Sequence, residues 1–208
     1  MPVATRRTPQ QQRSRELVAR ALDAAERLLA GGAEDLSTTA IAQAAGVSVG
    51  ALYQYFPDTR AIVTALALRH MEAFAELMEQ TVERAATERW EDPVGVLVDL
   101  FAARYRAQPG YRALWFGSLL NEDLRAADRD NKLALADGVR RVVVGLGLAR
   151  DDERVVTICQ AAVHACDALL QEAFRRDPAG DRALLEETKT MLRAYLDRVA
   201  VHNAKGTS

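Results

Sequence analysis

The segment "AGVSVGALYQYF", Ala45 to Phe56, concentrates residue types suited to recognising another molecule. Val49, Gly50 and Ala51 form a small apolar edge, Gln54 adds an amide, and Tyr53 and Tyr55 add hydroxyls. A glutamine amide pairs bidentately with adenine in the major groove of DNA, and small apolar side chains touch thymine methyls. Hydroxyls and the free amides at helix starts suit phosphate oxygens. This is the chemistry of binding rather than of bond making.

Those side chains need short, well-capped helices to present them. Ser37 is a good N-cap for a helix over Thr38–Ala45, which Gly46 ends, and Ser48 caps a further helix over Val49–Phe56. Between them "AAGVS" has the form of a helix-turn-helix: Ala44 and Ala45 permit close approach, Gly46 makes the turn and Val47 anchors it. Leu52 and Phe56, four apart, face inward with Val47. The second helix would read base edges from its N-terminal residues. An ordinary helical hairpin with exposed aromatics is the plainer reading, and it needs the turn, the caps and the exposed pair to coincide by accident.

Apolar positions recur at helical spacing elsewhere, with no convincing alternating strand, so the fold class is all-α. The spacing predicts helices over Ser14–Ala30, then from Asp58 onward, from Asp92-Pro93 to before Gln108, over Tyr111–Leu120, Glu122–Leu146, from Asp151 or Asp152 to Arg176, and over Asp181–Val201. Nine helices result, divided into a disordered basic arm (1–12), a helix-turn-helix domain (13–60), a ligand-binding and dimerisation domain (61–203) and a tail (204–208).

The net charge of −2 argues against a generally basic nucleic-acid binder, but residues 1–20 hold Arg6, Arg7, Arg13, Arg15 and Arg20 against Glu16 alone. Cys159 and Cys166, seven residues apart on one predicted helix, lie about 10 Å apart. That is too far for a disulfide, and a reducing compartment is the default. No apolar stretch spans a membrane and the N-terminus has no apolar segment, so the expected location is cytoplasmic, with no membrane partner. No cofactor and no metal site are expected.

"LSTTAIAQAAGVSVGALYQYFPDTRAIV", Leu36 to Val63, resembles the helix-turn-helix signature of the TetR/AcrR family of bacterial transcription regulators. The nine-helix layout is similar to that family throughout. The resemblance implies base-edge contacts from Thr39, Val49, Gly50, Ala51 and Gln54. Phosphate contacts fall to Ser37, Thr38, Ser48, Tyr53, Tyr55, Thr59 and Arg60. Two departures stand out: Thr59 sits where the family usually has a phosphate-gripping Lys, and Thr39 where many relatives carry Arg. Both raise the expected contribution of the arginine-rich arm, Arg6 to Arg15, to DNA affinity.

The resemblance also implies a homodimer, a double-stranded DNA operator and a small apolar or aromatic effector. Heptad-like stripes supply the expected dimer interface: Val155, Cys159, Ala162, Cys166 and Leu169 on one helix, Leu184, Thr188, Met191, Leu192, Tyr195 and Val199 on the last. The same stripes would equally suit the chain's own core. Effector-pocket candidates are Phe74, Met78, Phe101, Arg104, Tyr105, Tyr111, Trp115, Phe116, His164, Asp167 and Phe174. Each is also a good packing residue, and His164, three residues before Asp167, reads as a satisfied core histidine.

The expected function is therefore a repressor that binds a palindromic operator as a homodimer and is released by a ligand. A ligand-independent activator or architectural protein is the alternative within DNA binding. An enzyme is the alternative outside it: "VVVGLGLARDDER" imitates the start of a dinucleotide loop, but its third glycine position is Arg150, and no P-loop, HExxH or GxSxG occurs.

Overall fold

A computed structural model of the chain describes residues 9–32, 36–116 and 122–205. Among the described residues there are nine helices and no strand. They are α1 (Pro9–Ala30), α2 (Thr38–Ala45), α3 (Val49–Tyr53), α4 (Thr59–Ala85), α5 (Pro93–Ala107), α6 (Pro109–Phe116), α7 (Glu122–Gly145), α8 (Glu153–Arg176) and α9 (Arg182–Lys205).

Local chemistry accounts for most of these limits. Hydroxyls of Ser37 and Ser48 accept the amides of Ala40 and Ala51, and carboxylates of Asp58, Asp92, Asp152 and Asp181 accept amides three residues on. Gly46 ends α2 at φ 66°, a left-handed conformation that costs glycine least. The ends differ from the sequence expectation in several places. Helix α1 starts at Pro9 rather than Ser14, so residues 9–12 are helical and not part of a disordered arm; proline suits a first helical turn. Helix α3 stops at Tyr53 rather than Phe56, because Tyr55 and Phe56 both donate back to the Leu52 carbonyl and Pro57 disfavours helix in the residue before it. The last helix continues through Lys205 into the expected tail. Arg6 and Arg7 lie outside the described residues.

Two compact units make up the chain: Met1–Arg69 with Pro109–Leu120, and His70–Gln108 with Asn121–Ser208. The first therefore gathers α1 to α3, the start of α4 and α6, where the sequence suggests a boundary after residue 60. Its core is small side chains of α1 (Ala21, Ala24, Ala25) against Ile41, Leu52, Phe56, Ile62 and Leu66, with Ala113 of α6 at the edge. Burying each of the large aliphatics contributes about 1.5–3 kcal/mol. Helix α6 belongs here because Gly110 lies against Glu26 of α1, where a Cβ would come within 2.9 Å of the Glu26 carbonyl oxygen. Arg69 adds a clamp from α4, reaching Asp23 at 2.6 Å and Glu26 at 2.8 Å.

In the second unit α7 packs on α8, α8 on α9, and α5 on both α8 and α9. Phe74 meets Phe101 edge-on at 4.9 Å, and Tyr105 stacks on Phe174 at 5.2 Å. Buried Thr81 and Thr188 return their hydroxyl protons to the carbonyls of Leu77 and Leu184. That hydrogen bonding makes a polar residue tolerable in the core. Val142 to Gly145 are helical, which removes the strand that a dinucleotide loop would need.

Candidate nucleic-acid interface

The first unit brings the expected recognition residues to the exposed side of a tight two-helix corner. Leu52 is wholly buried and Phe56 nearly so, which anchors α3 from beneath and leaves Gly50, Tyr53, Gln54 and Tyr55 exposed. Val49 and Ala51 are half-buried at the start of α3, and Thr39 is exposed on α2. Gln54 stands at the C-cap of α3, so it presents its amide from the turn that follows the helix.

Both tyrosines are held by hydroxyls from other helices. Tyr53 hydrogen-bonds through its hydroxyl to Thr38 of α2 at 3.2 Å, and Tyr55 to Ser14 of α1 at 2.8 Å. Rings that are 52% and 39% exposed are thereby fixed in direction without being buried. Ser14 was not among the sequence candidates; only its distance from Tyr55 in the fold reveals the pairing. Arg27, also missed, donates to the Ala44 carbonyl at the end of α2, where a cation complements the helix dipole.

Ser37 and Ser48 use an oxygen lone pair as caps and keep their hydroxyl protons for a further acceptor. Thr59 is half-buried as the first residue of α4, while Arg60 is exposed, as are Arg13, Arg15 and Arg20 of α1. The arrangement combines polar donors, exposed cations and an apolar edge, and it offers no nucleophile with an adjacent base. No group of three or more His, Cys, Asp or Glu side chains suited to a metal ion occurs among the described residues.

Two family models match the chain: "Bacterial regulatory proteins, tetR family" over residues 21–66, and "Tetracyclin repressor-like, C-terminal domain" over residues 88–200. A solved TetR-family transcriptional regulator from Streptomyces coelicolor is 32% identical, covering 88% of this chain and 99% of that one with a TM-score of 0.61. The chain belongs to the TetR family of bacterial transcriptional regulators. It is a DNA-binding regulator and not an enzyme. The regulator FadR from Bacillus subtilis, solved with stearoyl-CoA, shares the fold at 19% identity and a TM-score of 0.65, covering 86% of this chain and 97% of its own. The multidrug binding protein EbrR, solved with ethidium, does so at 21% identity and 0.64, covering 86% and 98%. No curated protein matches the sequence significantly.

For a TetR-family chain the second unit is where effector and dimer residues are expected, and here the fold redistributes the candidates. Phe74 and Arg104 line a hollow of about 240 Å³ between α4 and α5, with the guanidinium 4.4 Å from the Phe74 ring centre and donating to the His70 carbonyl at 2.6 Å. Met78 and Phe101 are core residues. Tyr105 donates to Asp167 at 2.9 Å, and Asp167 also receives Gln171 at 2.8 Å and Lys132 at 2.9 Å. Burial opposes the charge on Lys132, but Asp167 and Asp128 outweigh it and hold Lys132 above the ordinary lysine range. His164 is exposed on α8 and is not among these partners of Asp167, which corrects the core-histidine expectation. Tyr111 and Trp115, stacked at 4.5 Å, and half-buried Phe116 belong to the first unit.

The dimer stripes need the same correction. Val155, Cys159, Cys166, Thr188 and Leu192 are buried within the chain itself, and Ala162, Leu169 and Leu184 are half-buried. Among the described residues of the expected set, only Met191 and Tyr195 are exposed, joined by Val156, which the heptad reading passed over. The Val199 side chain lies outside the described residues.

Proposed function

We propose that this TetR-family regulator is a cytoplasmic homodimeric repressor that binds a palindromic operator and is released by a small molecule held in its C-terminal part. The observation carrying the DNA half of this reading is the pair of exposed tyrosines, each oriented by a hydroxyl of another helix beside the apolar start of α3. In that reading Tyr53 and Tyr55, with Ser37, Thr38, Ser48, Thr59 and Arg60, hold phosphates. Thr39, Val49, Gly50, Ala51 and Gln54 face base edges. One short helix touches few bases, so two copies about one DNA turn apart are required for useful specificity.

Exposed Val156, Met191 and Tyr195 on α8 and α9 support pairing of these helices with their copies. The ligand half is supported by the fold shared with FadR and EbrR, whose solved complexes hold stearoyl-CoA and ethidium. Helix α4 contributes residues 59–69 to the first unit and 70–85 to the second, so it offers one continuous helical route for coupling ligand to DNA. Ligand and operator binding are then reciprocally linked. Selection of duplexes from random DNA by the purified chain, followed by a screen for compounds that release the selected site, tests the reading. A palindrome of about 14–20 base pairs is the expected product. Failure to enrich any sequence overturns the reading.

A further inference from the structure

A further hollow of the second unit was absent from the sequence expectation. It lies among α5, α7, α8 and α9, has a volume of about 350 Å³, and falls within the roughly 300–1,000 Å³ typical of small-ligand sites. Its walls are aliphatic: Leu97, Val139, Val143, Leu148, Ile158 and Leu196 are representative. A smaller hollow of about 40 Å³ shares Val94, Leu97, Val139, Ala162 and Leu196 with it and extends the apolar seam to Phe101 and Cys166. Burial pushes the Cys159 thiol up to about 11 and the Cys166 thiol up to about 12, so neither wall cysteine carries charge near neutral pH.

All formal charge on this lining sits with Glu91, Asp92, Arg193 and Asp197. Asp92 is already satisfied, accepting Arg193 at 2.5 Å and 3.2 Å and the Gly95 amide at 3.0 Å. Glu91 and Asp197 are exposed and have no ion-pair partner among the described residues, which leaves two uncompensated carboxylates beside an aliphatic interior. Trp90 completes that polar region, one face of its ring approached by Arg84 at 5.8 Å.

We propose that this cavity binds a linear aliphatic cation, its chain among the aliphatic walls and its ammonium head between Glu91 and Asp197. This assigns a ligand class to the effector reading above and rests on that reading only for its link to DNA. Aliphatic side chains on the walls of α5, α7, α8 and α9 suit a flexible hydrocarbon chain, and the two carboxylates select a cation over an anion.

Titration calorimetry of the full chain at low ionic strength with n-decylamine, 1-decanol and decanoate tests the assignment. The amine is expected to bind tightest and decanoate at least tenfold more weakly. Glu91→Gln with Asp197→Asn, both at exposed positions, should weaken the amine by on the order of fivefold and leave the alcohol unchanged. Leu97→Trp, which fills the shared wall, should abolish binding of amine and alcohol alike. Decanoate binding as tightly as the amine overturns the proposal, as does amine affinity that both variants leave intact. Operator release is measured separately. An amine that binds in the cavity without releasing DNA keeps the site and refutes the effector reading.

Discussion

At the residue scale, the helix-turn-helix corner depends on one backbone conformation and two kinds of side chain. Gly46 has φ 66° and open space around the position of a Cβ, so Gly46→Ala would introduce backbone strain without a clash. The expected cost is about 1 kcal/mol, read as a lower urea midpoint with an unchanged slope. The tyrosines and Gln54 divide differently. Tyr53→Phe removes the hydroxyl shared with Thr38 and should weaken all DNA sequences alike, since a phosphate contact carries no sequence information. Gln54→Ala should instead relax preference at one base pair by about 1–3 kcal/mol in a competition assay. If the selected site is unchanged in Gln54→Ala, the turn at the end of α3 holds that amide away from the bases. Val49, Gly50 and Ala51 then carry the readout through thymine methyls and DNA shape.

At the element scale, helix limits were legible wherever a cap residue declared them. Ser37, Gly46, Ser48 and Asp58 each act at the helix end expected of them, Asp152 rather than Asp151 caps α8, and Asp181 caps α9. Periodicity alone could not separate the inner from the outer face of α8 and α9. It finds a stripe that must be buried but not what buries it, and Val155, Cys159 and Cys166 turn out to face α8's own neighbours. The exposed face carries Val156, Met191 and Tyr195 instead. Met191→Glu combined with Tyr195→Glu should therefore convert a dimer to monomer in size-exclusion chromatography with light scattering, while far-UV circular dichroism stays unchanged. Thr188→Val, a change at the stripe's wholly buried threonine, should leave the oligomeric state alone.

At the scale of the whole molecule, ion pairs tie segments far apart in the chain and give stability a dependence on pH. Asp92, the N-cap of α5, is held below the ordinary carboxylate range by its hydrogen bonds from Arg193 of α9 and then from the Gly95 amide. A carboxylate lowered in the folded state contributes stability above its unfolded value near 3.9, and that contribution is lost as pH falls through the folded value. Asp92→Asn should thus lower Tm at pH 7 and have progressively less effect below pH 4. Lys132 works in the opposite sense. Its raised value means a contribution fully present below about pH 10.4 and lost as pH rises through the folded value. The melting temperature of Lys132→Gln should approach that of the parent chain only in strong alkali.

The amino-acid sequence by itself determined the all-α class, the order of the helices and the helix-turn-helix corner. Those follow from local rules: capping side chains within three residues, a glycine where the backbone turns left-handed, and apolar residues at helical spacing. Tertiary structure alone decided which partner each apolar stripe meets, because helical period is blind to the identity of the opposing surface. It placed His164 outside the core, joined Ser14 to Tyr55 across 41 residues, and assigned α6 to the first unit through a glycine contact with Glu26. It also opened an aliphatic cavity among α5, α7, α8 and α9, while several of the aromatics that suggested a pocket pack against one another. A cavity is the space that several helices fail to fill together, and no single segment encodes that space.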